Sequence, residues 1–191
     1  MKVEIRSDGL HINGYVNVPG RESRPVITPH GKVIEIIEQR AFQKALEKTS
    51  NMKMRLDHER EIASVADGTL KVYEDEVGLR AESIITDEEV IEGAKQGRLK
   101  GWSFNMKNIK DDVEERTEGL PVRRVKEFDM NEVSLIMNKT PVYSSTSIEV
   151  RADGEDEVET RASSSKFEIT KSVETPKESY YEELRGEIKA E

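Results

Sequence analysis

The chain has 191 residues, 30 basic against 39 acidic for a net charge of −9, and is 36% charged but only 35% hydrophobic. So acidic a chain lacks the counterion-releasing phosphate contacts that drive nucleic-acid binding, which makes nucleic acid a poor partner. It has no cysteine, which excludes disulfide frameworks, cysteine-based zinc sites and thiol catalysis.

No apolar run reaches the length of a membrane span. The first residues, Met1-Lys2-Val3-Glu4-Ile5, lack a signal-peptide core, so a cytoplasmic protein is expected. The low apolar share predicts either a small core or a chain that is partly unfolded.

Val3 and Ile5 alternate with charge from Lys2 to Arg6, the pattern of a half-buried strand. Ser7-Asp8-Gly9 is a turn. Leu10, Ile12, Gly14 and Val16 share one face of a second strand, hairpinned to the first. Pro19 to Gly31 reads as a loop. Val33 to Ile37 is apolar and β-branched. From Arg40 to Lys48, Phe42, Ala45 and Leu46 fall at the spacing of a short amphipathic helix.

Met52, Met54 and Leu56 alternate toward Asp57-His58, which puts His58 at a strand end. Leu70 to Tyr73 and Leu79 to Ile85 are strands joined by a turn ending at Gly78. Thr86-Asp87-Glu88-Glu89 reads as a capping box with threonine as the cap. Val90, Ile91 and Ala94 form the apolar side of the helix that follows, and Gly97 ends it.

Lys100-Gly101-Trp102-Ser103-Phe104-Asn105-Met106 is the stretch around which the rest is organised. As a strand it puts Trp102 and Phe104 on one face, and Gly101, Ser103 and Asn105 on the other. One face is large and aromatic and the other small and polar, which suits a wall between core and cleft. Asp111 to Leu120 is a polar arm or loop. Val122 to Phe128 and Glu132 to Met137 are further strands, and Ser147 to Val150 is read as a last one. The count is seven to nine strands and two helices, a β-rich barrel or sandwich with helical inserts. Two parts are expected: a folded domain over 1–150, and an acidic, flexible or partly helical tail over 151–191. The tail's apolar residues are too scattered to offset its ordering entropy, and a helix from Lys177 to Lys189 is its one regular element.

Serine hydrolysis needs a nucleophile, a base that takes its proton and a group that orients the base. Ser103 and His58 suit the first two roles. Glu132, at the head of an apolar strand, is the candidate for the third, with Asp57 and Asp129 as rivals. His11 and His30 have no organised neighbourhood and read as surface residues. Gly101-Trp102-Ser103-Phe104-Asn105 lacks the second glycine of a nucleophile elbow, which argues against an α/β-hydrolase. No His/carboxylate set has metal-ligand spacing, and the run Asp153-Gly154-Glu155-Asp156-Glu157 lacks the pattern of a calcium loop. No metal or cofactor is implied.

The ordered set is similar to a known family. Gly14-Tyr15, Glu38-Gln39-Arg40-Ala41-Phe42, Leu56-Asp57-His58, Gly78-Leu79, Gly101-Trp102-Ser103-Phe104 and Glu132-Val133-Ser134-Leu135-Ile136, with Pro141 after, resemble the prohead proteases of tailed bacteriophages over about residues 10–150. The resemblance implies a herpesvirus-protease-like fold, mainly β with a few helices (α+β): a closed antiparallel β-barrel of about seven strands with surrounding helices. It implies a serine endopeptidase that cleaves scaffold, or the scaffold-like segment of the major capsid protein, and itself, inside assembling proheads in the host. His58 matches the family's histidine, Ser103 its serine and Glu132 its acid. Asn105 stands where the family commonly has glycine. The alternative reading is a non-catalytic capsid assembly or scaffold factor on the same fold. Self-association is left open.

Overall fold

The computed structural model describes residues 2–29, 31–138, 150–153, 156–164 and 168–171, the last three segments as backbone. Two sheets carry the fold. In the first, β1 (Lys2–Arg6) and β2 (Gly9–Asn17) form the expected hairpin, Val3 opposite Ile12 and Ile5 opposite Leu10. β7 (Leu70–Glu74) and β8 (Leu79–Ile85) form a second hairpin, and β8 lies antiparallel to β2. β14 (Glu168–Lys171) runs parallel to β1 at the other end.

The second sheet holds β3 (Val26–Thr28), β4 (Gly31–Ile37), β5 (Lys53–Leu56), β6 (Arg60–Ser64), β9 (Gly101–Glu114), β10 (Val122–Asp129) and β11 (Glu132–Ile136). β12 (Val150–Asp153) and β13 (Asp156–Ser164) join it as a hairpin through β13, which pairs with β9. β10 and β11 run antiparallel to successive stretches of β9, from Val122 opposite Glu114 to Ile136 opposite Gly101.

The chain is mainly β with two helices among the described residues, as expected, but the closed antiparallel barrel is not formed. A barrel needs one closed cycle of paired strands. Here the two sheets are open and separate, ending at β14 and β7 in one and at β3 and β6 in the other. Nor is the pairing all antiparallel. The chain leaves β4, crosses through α1 (Ala41–Lys48) and returns as β5, so β4 and β5 lie parallel to β10 and β11. Parallel neighbours require such a crossover.

Two local expectations also shift. Thr86 does not cap α2 (Glu88–Lys95). Asp87 does, its carboxylate accepting from the Val90 N–H, because Asp87 immediately precedes the first helical turn. The stretch read as a loop between Pro19 and Gly31 contains β3, which pairs with β4. The expected helix from Lys177 to Lys189, and all but the end of the expected strand from Ser147 to Val150, lie outside the described residues.

The described core runs from Val3 to Met137. Its centre is Phe42 of α1, packed edge-on against Phe104 and Phe128 at 5.2 and 5.3 Å between ring centroids. Trp102 is fully buried beside them. These rings fix β9 and β10 against α1, and so fix the backbone that carries Ser103. Aromatic pairs of this geometry contribute about 0.5–1.5 kcal/mol beyond their burial.

Candidate active site

Alternation along β9 divides its first residues as expected: Trp102 and Phe104 enter the core, leaving Ser103 on the opposite face. In β11, Ser134 lies directly opposite Ser103, and on its other side it pairs with Arg55 of β5. Glu132 precedes Ser134 by two residues and so shares its face. One row across three strands thus carries Arg55, Ser134 and Ser103, with Glu132 beside it.

His58 reaches this row through a tight turn. Leu56-Asp57-His58-Glu59 joins β5 to β6, closed by the Glu59 N–H donating to the Leu56 carbonyl at 2.9 Å. Asp57 and His58 both have positive φ, 52° and 64°. Two such central residues suit the right-handed twist of a hairpin, and Asp and His tolerate the region better than most side chains. Asp57 anchors the turn. Its buried carboxylate accepts from the Met137 and Asn138 N–H groups at 2.8 and 2.9 Å, and its own N–H donates to the Leu135 carbonyl.

The turn lays the imidazole over the row. His58 Nε2 is 2.8 Å from Ser103 Oγ, and Nδ1 is 2.5 Å from Glu132 Oε1. A carboxylate only accepts, so Nδ1 carries the proton and Nε2 is left to accept from the serine hydroxyl. Ser134 Oγ stands 3.1 Å from the same Nδ1 and can accept a share of its N–H. The second Glu132 oxygen is 3.1 Å from Arg55 Nε, an ion pair that holds the carboxylate in place. Ser103 is fully buried, and the His58 and Glu132 side chains are 10% and 12% exposed. Charges so shielded from water interact more strongly than they would at the surface.

The structure therefore brings Ser103, His58 and Glu132 into contact, and assigns the rival acids elsewhere. Asp57 faces backbone N–H groups. Asp129 accepts from Asn108 and pairs with Lys48 at the end of α1, and these partners hold its carboxyl below the usual range. His11 bonds Asp8 on the other sheet, and His30 lies outside the described residues. Among the described residues, no group of three His, Asp or Glu side chains could hold a metal ion. Arg55 and Ser134 are the neighbours that sequence reasoning missed. Ser134 had a signal, its place two residues after Glu132 on one strand face. Arg55 had none, because its pairing with β11 is set by register alone.

A serine donating to an imidazole that a carboxylate orients is the arrangement of a serine hydrolase. The chain matches the family model described as caudovirus prohead serine protease over residues 1–161, and it belongs to that family. No curated protein and no solved structure matches it.

Proposed function

We propose that the chain is a prohead maturation endopeptidase with Ser103 as nucleophile, His58 as general base and Glu132 as the group that orients and balances the base. The observation that carries this reading is the unbroken contact from Glu132 through His58 to Ser103, at 2.5 and 2.8 Å. His58 Nε2 takes the hydroxyl proton as Ser103 Oγ attacks the scissile carbonyl. The imidazolium so formed is stabilised by Glu132, and then gives the proton to the leaving amine. Water repeats the sequence on the acyl-enzyme and releases Ser103.

The substrates in this reading are scaffold, or the scaffold-like segment of the major capsid protein, and the chain itself, met inside assembling proheads in the host. Residues 1–150 would be the catalytic unit, and 151–191 an appended segment that brings it to the shell. Co-expression with the major capsid protein tests this. Intact-mass measurement should show a shortened capsid protein with the native chain and a full-length one with Ser103→Ala. Particles that assemble only with the chain present, yet hold uncleaved capsid protein, would favour a non-catalytic assembly factor.

A further inference from the structure

Ser103 has no exposed surface, yet a peptide bond must reach it. Over Gly101–Phe104, β9 is flanked on one edge by β11 and on the other by β13. β11 cannot leave, because it carries Glu132 and places Val133 and Leu135 in the core. β13 comes later in the chain, as the second arm of the β12–β13 hairpin, and carries none of the three contacting residues Ser103, His58 and Glu132. It runs antiparallel to β9, with Thr160 opposite Asn105, Ala162 opposite Ser103 and Ser164 opposite Gly101. The residues at these three positions are all small.

We propose that this edge of β9 is where an extended substrate peptide adds as a strand, and that residues 156–164 hold it in the resting chain as a stand-in for that peptide. The inference rests on the serine-protease reading of the site. An extended peptide added to a sheet edge draws affinity from main-chain hydrogen bonds and specificity from alternate side chains. The stand-in implies a substrate with small residues at alternate positions, in antiparallel register with Gly101–Met106. A covalently attached strand has a high effective concentration, so substrate binds only to the fraction of chains in which β13 has left.

A single probe, a small fluorophosphonate that labels an activated serine, tests this in the full chain. The chain has no cysteine, so Asn105→Cys with Thr160→Cys adds one pair, at directly opposed positions of antiparallel strands where a disulfide can form. The oxidised form should label at Ser103 more slowly than the same protein reduced, by about tenfold or more. A second variant, Arg161→Pro with Ala162→Pro, removes two successive N–H groups. These point to opposite edges, so one bond to β9 must be lost. That variant should label faster than the native chain. In it, a synthetic peptide with the sequence of residues 156–164 should slow labelling, and a scrambled peptide should not. Equal labelling of oxidised and reduced forms at Ser103, or no protection by the peptide, would overturn the inference and leave the protease reading standing. No labelling of Ser103 in any form, the proline variant included, would remove both.

Discussion

Ser103 and Ser134 face each other directly across β9 and β11, and His58 contacts both, through Nε2 and Nδ1 respectively. The two hydroxyls are chemically alike but meet opposite ends of the imidazole. Only the one at Nε2 can lose its proton to the ring while Nδ1 remains bonded to Glu132.

The contacts at Nδ1 separate Glu132 from Ser134. Glu132→Gln removes the charge that balances the imidazolium, and should lower kcat by up to about 10⁴-fold with little change in KM. Ser134→Ala leaves the 2.5 Å bond to Glu132 in place and should cost less than about tenfold. Steady-state kinetics on both variants decide the assignment. A silent Glu132→Gln beside a crippling Asp57→Asn or Asp129→Asn would mean that a different acid orients the base.

Asp57 bonds the backbone beside the site. Its two carboxylate oxygens accept from Met137 and Asn138 and tie the β5–β6 turn to the end of β11. Asp57→Asn leaves one of those N–H groups without an acceptor and should cost about 1–3 kcal/mol. Urea unfolding would measure this. An unchanged midpoint would show that the turn is held by other contacts.

Much of the architecture was legible because period-two alternation marks strands whatever they pair with. β1, β2, β5, β8 and the start of β9 all show it, and so Ser103 and His58 could be singled out at a strand face and a strand end. Pairing is another matter. Nothing local in Met54 or Val133 says that β5 lies parallel to β11, and that register is what sets Arg55 and Ser134 beside the histidine. The closed barrel came with the family resemblance, and local pattern could not correct it: seven to nine strands were counted where fourteen are described, and neither the crossover through α1 nor the open ends of the two sheets leave a local signal. Thr86 and Asp87 are both good caps, and only the position of the first helical turn chose between them.

Asp87 provides a pH test of the fold. It caps α2 and accepts from Arg60, whose guanidinium holds its carboxyl below the usual carboxylate range. A carboxyl lowered in the folded chain contributes stability above its unfolded value, 3.8, and loses it as pH falls through the folded value. Asp87→Ala should therefore cost about 1 kcal/mol at pH 7. The difference from the native chain should shrink as acid protonates Asp87. Denaturation midpoints across that range check this, and a difference that does not shrink below the unfolded value would contradict it.

Cutting the chain after residue 152 tests the proposed division into two parts. From Arg151 onward the sequence turns polar and charged with scattered apolar residues, and β13 and β14 add along the edges of β9 and β1, so the shortened chain should melt close to the full one, cleave substrate and enter particles poorly. Melting curves and particle incorporation decide it. Insolubility, or a melting point far below the full chain's, would mean that the later residues are needed for the fold.

The most direct test is a double-mutant cycle on cleavage of the capsid protein, comparing Ser103→Ala, His58→Ala and both together. Residues that work as one unit are not additive. Each single variant should lose about 10⁴-fold or more in rate, with the double variant little worse than either and all three folded as the native chain. Cleavage by Ser103→Ala at the native rate, or losses that multiply in the double variant, would contradict a Ser103–His58 catalytic pair.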